Sequence, residues 1–323
     1  MTNRLTNGDQ KPQPEKPGIR DFAQFNVRDS FSIPATDSSI TGGTPVTDGQ
    51  TPQRVSKKQL LEIDSRLGAR DRELLHAVQK YRYLMTGQAQ KLLFTDAANP
   101  SAGLRAASRT LKKLSEFGLV SSLSRRIGGV RAGSSSLIWY LTHAGERLLR
   151  LSSNETHPIR RFFEPSPHYL AHSLAVAESA IQLIEICREH EPEIASLQLE
   201  PECWRAYTNV GVSLSLKPDL YVSVVTKEYE DRYFLEIDLD TESPAKVIEK
   251  CWRYHDYYRS GLEQEESGMF PLTVWIVPDV TRKEKLIRHL KEAFDKLPKL
   301  FAVITCEELE HLIVESGDRN MLC

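Results

Sequence analysis

Apolar residues recur at helical spacing from residue 70 onward, and the pattern changes to short β-prone runs twice. Arg70 to Tyr83 carries Leu74, Leu75, Val78 and Tyr81 on one side, which predicts an amphipathic helix. Thr86 is placed to cap a second helix reaching Leu93. Pro100 and Ser101 precede a third, with Leu104, Ala107, Leu111, Leu114 and Phe117 on one face and Gly118 at its end. Val120 to Leu123 and Ser136 to Leu141 read as two strands around a glycine-rich loop at Gly128, Gly129 and Gly133, and Thr142 opens a last helix through Leu151. Residues 57–155 thus read helix, helix, helix, hairpin, helix.

The second half alternates differently. His168 to His190 predicts a long helix with Leu174, Ile181, Ile184 and Cys187 on its apolar side. Leu197 to Tyr207 reads as a strand. Two β-prone runs follow, Leu214 to Val225 and Tyr233 to Leu239, joined by a polar stretch, Lys227 to Asp231, short enough for a hairpin. Ser243 and Pro244 suit the start of a helix whose buried side holds Val247, Ile248, Cys251 and Tyr254, flanked by Trp252 or Tyr258. Leu272 to Val277 predicts a strand, Arg282 to Leu297 a helix, Leu300 to Thr305 a strand, and Cys306 begins a short helix. Residues 156–323 therefore form an α/β region with a central mixed sheet, and the fold class expected of the whole is α+β.

Composition adds a third region. Residues 1–56 are rich in Pro, Gly, Ser, Thr, Asn and Asp, with isolated Phe22, Phe25 and Phe31, and read as a disordered tail. Over 323 residues, 40% hydrophobic and 27% charged content fit a soluble protein of two domains plus a tail. No apolar run has the length expected of a membrane helix, no signal-peptide core stands at the start, and a membrane is not expected as partner. The five cysteines, Cys187, Cys203, Cys251, Cys306 and Cys323, form no CxxC pair, which points to a reducing cytoplasm rather than a disulfide framework or zinc ribbon.

The net charge of −2 conceals an asymmetry: residues 57–155 carry +9 and residues 156–323 carry −11. The basic region is suited to a polyanion. Opposite its apolar stripe the third helix presents Arg105, Ser108, Arg109, Lys112 and Lys113, donors able to reach phosphates and base edges in a major groove. The hairpin adds Arg125, Arg126 and Arg131, placed to follow the phosphate backbone. Double-stranded DNA is the expected partner, the alternative being a protein-contact module with lysines for solubility.

The acidic region holds the candidate chemistry. Lys217-Pro218-Asp219 and Glu236-Ile237-Asp238 lie in or beside the two β-prone runs. Strand alternation sends Glu236 and Asp238 to one face and Leu235, Ile237 and Leu239 to the other. Antiparallel pairing would bring Asp219 near both, and three clustered carboxylates call for a cation such as Mg²⁺. A solvated acidic face is the competing reading. On the following helix Lys246, Lys250, Arg253 and Tyr257 share a stripe suited to a scissile phosphate or simply to solvent. His168 and His172 are one helical turn apart but lack a third metal ligand. No GxxxxGK[ST] loop, His-hydrophobic-His motif or nucleophile motif occurs.

The element order of residues 57–155 resembles a winged helix-turn-helix domain. The later αβββαβ order, with Pro218-Asp219 and Glu236-Ile237-Asp238, resembles the PD-(D/E)XK nuclease superfamily. That resemblance implies Mg²⁺ at Asp219 and Glu236, with Asp238 beside them, for phosphodiester hydrolysis. The superfamily's usual lysine is Asp238 here, and Lys250 or Lys246 of the next helix is implied in its place. Glu178 resembles an extra acid found on the long helix of some members, the alternative being a half-buried structural Glu. Together with the His172-to-Glu178 segment, these motifs resemble the replication-relaxation family of bacterial plasmids and mobile elements. The resemblance implies plasmid replication and DNA relaxation, a Mg²⁺-dependent nick, and a second copy or replication and mobilisation proteins as partners. The alternative is a winged-helix replication or transcription regulator whose nuclease-like domain is inactive.

Overall fold

The computed structural model describes residues 55–123, 137–152, 164–209, 211–294 and 299–315, all within one compact unit, Gly43–Cys323. The expected tail lies outside the described residues except for its last two. One of these, Ser56, caps the first helix, α1 (Lys57–Ser65): Gln59 N donates to Ser56 Oγ at 3.2 Å and Ser56 N to Gln59 Oε1 at 2.8 Å. This reciprocal capping box, Ser-x-x-Gln, starts a helix that the apolar pattern did not predict.

The helical module continues with α2 (Ala69–Tyr81), β1 (Leu84–Met85), α3 (Thr86–Leu93), α4 (Pro100–Glu116), β2 (Val120–Ser122), β3 (Ile138–Leu141) and α5 (His143–Ser152). Thr86 does not cap α3. It sits in the first turn, and its hydroxyl accepts from the Trp139 indole at 2.9 Å. Asn99 caps α4 by accepting from Ala102 N at 2.9 Å, and Pro100 fills a first-turn position that needs no N–H. Gly103, Ala107, Leu111 and Leu114 form its buried stripe. Gly118 at φ +70° then turns the chain into β2. Three strands pair in the order β1-β3-β2, with Val120 opposite Leu141. The loop between β2 and β3, with Arg125, Arg126 and Arg131, lies outside the described residues.

The second module begins with α6 (Pro167–Glu189), capped by Ser166. A five-stranded mixed sheet follows, ordered β10-β9-β8-β7-β4: β4 (Glu193–Leu199), β7 (Leu220–Val225), β8 (Glu230–Ile237), β9 (Leu272–Val277) and β10 (Phe301–Thr305). β8, β9 and β10 run parallel, whereas β4, β7 and β8 are antiparallel. On one face α6 and α10 (Leu309–Val314) meet Leu220, Val222, Leu235, Ile237, Val274 and Ile276. On the other, α7 (Pro244–Ser260) and α9 (Val280–Phe294) meet Tyr221, Phe234, Trp275 and Val277. Both strand faces are apolar and covered, giving a three-layer body.

Prolines divide two of the predicted strands. Leu197 to Tyr207 turns at Pro201 and becomes β4 and β5 (Arg205–Asn209). Leu214 to Val225 breaks at Pro218 into β6 (Val212–Leu216) and β7. Proline has no N–H to donate to a ladder, so each run stops there, and β5 and β6 pair in a separate ribbon. A short α8 (Leu262–Ser267) follows α7.

The two modules meet along α6. Gln88 Nε2 on α3 donates to Leu174 O at 3.1 Å and Glu178 at 3.0 Å, and Lys91 pairs with Glu178 at 2.6 Å. Arg188 closes the far end, donating to the carbonyls of Lys91 and Leu92 at 2.9 and 2.8 Å. Tyr83, Ile138 and Tyr140 pack on Leu170 and Leu174. α6 is long and apolar enough by composition to cross a membrane, contrary to the expectation that no segment is, but half of that stretch is buried within the protein.

Gly145 marks the tightest approach in the helical module. A Cβ there would stand 2.2 Å from Leu119 O. Gly145→Ala is expected to destabilise the protein by about 1–3 kcal/mol, the range for overpacking a filled site. Urea unfolding of both proteins checks it. An unchanged midpoint would mean that α5 shifts freely against β2.

Candidate functional site

β7 and β8 pair with Leu220 opposite Leu235, so extending the register by one residue sets Asp219 opposite Glu236. The two acids are therefore neighbours by strand geometry, at the end of the sheet where β8 runs into α7. Both are buried: Glu236 is 0% exposed and Asp219 7%. Asp219 Oδ2 accepts from Ile237 N at 2.7 Å, and its Oδ1 lies 3.2 Å from His172 Nε2 on α6. Glu236 accepts from the Lys250 ammonium through Oε2 and from the Tyr254 hydroxyl through Oε1, both on α7.

A single helical turn separates Lys250 from Tyr254, so both reach the same carboxyl. Lys250 is the cation that the superfamily resemblance implied on this helix, and the structure places it against Glu236. Lys246 makes no contact of this kind among the described residues. The sequence reading assigned Tyr254 only to the apolar side; its i, i+4 relation to Lys250 was the signal for more. The rest of the expected basic stripe separates. Arg253 pairs with Glu249 on the exposed surface at 2.7 Å, and Tyr257 is buried, donating to Glu263 at 2.6 Å. Trp252 is 42% exposed rather than part of the core.

The electrostatics follow from burial. Burial opposes charge on Asp219, but the Lys250 ammonium, the His172 contact and the Ile237 N–H together hold it down to about 2. Burial pushes Glu236 up to about 8, and the Asp219 charge adds to this against the pull of Lys250 and Tyr254. The Lys250 amine is raised, since its two acidic neighbours outweigh its desolvation. His172 is also raised: burial works against its charge, and the bond to Asp219 prevails. One charged acid, one acid that holds its proton to higher pH and one ammonium make a nearly neutral buried cluster.

Asp238 does not join it. The chain leaves β8 after Ile237, and Asp238 Oδ2 turns to Arg282 of α9, at 2.6 Å from Nη2 and 2.7 Å from Nε. Its Oδ1 accepts from Asp240 N at 2.7 Å. The expected three-carboxylate group is thus a pair plus a separate ion pair, and among the described residues no three His, Cys, Asp or Glu side chains gather as a metal site. Glu178 faces α3, away from the pair. His168 bonds Thr241 at 3.0 Å and His172 meets Asp219, so the two histidines share no ligand position.

Of the basic residues on α4, Arg105, Arg109 and Lys112 are exposed and Ser108 is half-buried. Lys113 is committed to buried Asp71 at 2.6 Å and lies over the Phe117 ring. A cleft of about 40 Å³ opens between the modules onto His172 and Asp219, with Lys80, Arg82, Tyr169 and Glu200 on its walls. Nothing in the apolar pattern marked Lys80 or Arg82.

Two solved structures are similar at low identity. The crystal structure of protein VC1899 from Vibrio cholerae aligns at 14% identity and a TM-score of 0.27, over 83% of this chain and 56% of that one. Restriction endonuclease FokI bound to DNA aligns at 11% and 0.21, over 67% of this chain and 58% of that one. The chain thus spans little more than half the length of either, and overlaps this slight do not define its fold or chemistry. No curated protein sequence matches. The replication-relaxation profile matches residues 46–273, a stretch that holds both the helical module and the Asp219–Glu236–Lys250 cluster, and the chain belongs to the replication-relaxation family.

Proposed function

We propose that this protein binds duplex DNA of a plasmid or mobile element through a winged helix and hydrolyses a phosphodiester at Asp219 and Glu236 with Mg²⁺ or Mn²⁺. The observation that carries the reading is the buried pair set opposite each other on β7 and β8, with Lys250 delivered to it by the next helix. Two carboxylates suffice for Mg²⁺, which keeps several waters and takes substrate oxygens as further ligands. Asp219 and Glu236 would hold the ion, which would polarise the phosphodiester and supply an activated water. Asp238 is outside this set, and its role is to pin the end of β8 to α9 through Arg282.

The protein's own groups divide the work. Asp219 is held ionised and oriented by Ile237 N–H and His172. Tyr254 fixes one oxygen of Glu236. Lys250 compensates the acids as they stand, and with a cation held by them its ammonium would be the group available to a phosphate oxygen. The winged-helix reading of residues 57–155 is supported by the order of helices α2, α3 and α4 followed by paired β2 and β3, with Arg105, Arg109 and Lys112 on the open face of α4. The free thiols Cys187, Cys203, Cys251 and Cys306 support a reducing, cytoplasmic setting.

One observation favours the second reading, an inactive domain used for assembly. All four carboxylate oxygens already face protein groups, so an incoming ion competes with the Lys250 and His172 contacts for them. Nicking of supercoiled plasmid separates the two. Mg²⁺-dependent nicking that Asp219→Ala and Glu236→Ala abolish, and that Lys250→Ala slows while leaving metal binding closer to intact, supports hydrolysis. Metal binding without nicking supports the scaffold.

Duplex affinity is expected to fall with salt, and Arg105→Ala, Arg109→Ala and Lys112→Ala should each flatten the log–log slope by about 0.9. Lys113→Ala should instead lower stability, because it strands buried Asp71. Unchanged slopes in the first three variants would remove α4 from the DNA interface.

Glu236 also imposes a pH signature. Its folded carboxyl keeps a proton from about pH 4.3, the unfolded value, up to about 8, so this group's contribution to stability is full below that window and declines as pH rises through it. Asp219 acts oppositely: its contribution is present above about pH 3.9 and is lost as pH falls toward about 2. Urea unfolding across pH should show the decline toward pH 8 in wild type and its absence in Glu236→Gln. Because a ligating Glu236 must give up that proton, Mn²⁺ affinity measured by calorimetry should rise with pH until about 8 and then level.

A further inference from the structure

The cleft beside Asp219 has one wall supplied by the helical module, and that wall is unusual in its backbone and its charges. Arg82 lies directly after α2 at φ 64° and ψ −51°. Tyr83 N donates to Tyr81 O at 2.7 Å, so Arg82 is the central residue of a three-residue γ-turn of the positive-φ kind. That turn is rare and strained for any residue with a Cβ, and glycine would relieve it. The arginine side chain is therefore held there at a cost, as happens at sites where a group must be aimed.

Its guanidinium points into the cleft. Nη1 donates to the Tyr169 hydroxyl at 2.6 Å, a neutral partner on α6. Lys80, one helical residue before Tyr81, donates to the Leu197 carbonyl at 3.2 Å, also neutral. Among the described residues neither cation has a carboxylate within salt-bridge distance, whereas Arg72, Lys91, Lys113, Lys250 and Arg282 all do. Two cations with no carboxylate at salt-bridge distance, Lys80 feeling Glu202 only from farther off, converge on a cleft that also contains Glu200 and Asp219. Those acids leave the cleft close to neutral overall, so it would attract an anion to the Lys80–Arg82 wall and not to its whole surface. A phosphodiester fits this arrangement, since a planar guanidinium can bridge two of its oxygens while still touching Tyr169.

We propose that Lys80 and Arg82 grip a backbone phosphate of the DNA strand that enters the Asp219 cleft, so that the helical module completes the site of the α/β body. The assignment rests on the nucleic-acid reading of the Asp219–Glu236 pair, and it names the side from which the strand arrives. It makes Lys80 and Arg82 positioning residues that act on the substrate's flank, away from the reacting atoms.

The test uses the full chain and a fluorescent DNA duplex in EDTA, where no hydrolysis competes with binding. Affinity is measured against salt for wild type, Lys80→Gln, Arg82→Gly and Arg82→Lys. Lys80→Gln and Arg82→Gly should each flatten the slope by about 0.9, and Arg82→Lys, which keeps the charge, should restore most of it. Arg82→Gly is chosen because it removes the strain along with the side chain, so its melting temperature should equal or exceed that of wild type. Unchanged slopes in folded Lys80→Gln and Arg82→Gly overturn the proposal, as does a lower melting temperature of Arg82→Gly with unchanged slope, which would make the arginine a structural link to Tyr169. Plasmid nicking with Mg²⁺ reports separately on the hydrolytic reading. Wild type that fails to nick while the two slopes still fall leaves the grip standing and removes the chemistry. Wild type that nicks, with both variants matching its slope and its KM, leaves the chemistry and removes the grip.

Discussion

Two carboxyl groups buried side by side are unfavourable unless a positive charge accompanies them, and the second module is arranged around meeting that requirement. Asp219 and Glu236 are brought together by the β7–β8 register, and α7 crosses this end of the sheet so that Lys250 and Tyr254 reach Glu236. Removing one partner from such a cluster leaves a buried charge uncompensated, which typically costs about 3–5 kcal/mol. The position of α7 is therefore tied to the acids as firmly as to its apolar contacts with Phe234 and Trp275.

The second organising element is α6. One side packs on β7, β8 and β9 through Ala177, Ala180 and Ile181, and another accepts the helical module through Leu170, Leu174 and Glu178. His172 and Tyr169 lie on the same helix and face the cleft. A helix shared in this way fixes the helical module with respect to the carboxylate pair. Apolar contacts, ion pairs and carbonyl hydrogen bonds all cross this junction, so no single substitution is expected to separate the modules.

Much of this was legible along the chain. Helical periodicity and capping residues located α2, α3, α4, α5, α6, α7 and α9, whereas β8, β9 and β10 showed as short apolar runs because the sheet is covered on both faces. The alternation of Leu235, Glu236 and Ile237 placed Glu236 opposite the α6 face, and the polar turn after Val225 implied the hairpin that sets Asp219 beside it. The superfamily resemblance, with the basic stripe of the next helix, made Lys250 or Lys246 a candidate.

Other features were decided only in three dimensions. Asp238 and Glu236 share a strand face by spacing, yet Asp238 stands just past the end of β8 and Arg282, distant in sequence, takes its side chain to α9. Arg253 and Tyr257 share the Lys250 stripe by spacing, yet one meets solvent and the other Glu263, because α8 covers only part of the helix. Glu178 was placed on the right helix and reaches α3, a choice made by how two modules dock. Lys80 and Arg82 carry no local signal, and His172 was marked by its spacing from His168 and by the family segment but not by its contact with Asp219, since each acquires its meaning from a neighbour on another element. Sequence by itself determined which segments form helices and strands and which acids pair across a hairpin, because those depend on local spacing. Which charges find one another, and where the cleft opens, depended on long-range packing that no local pattern encodes.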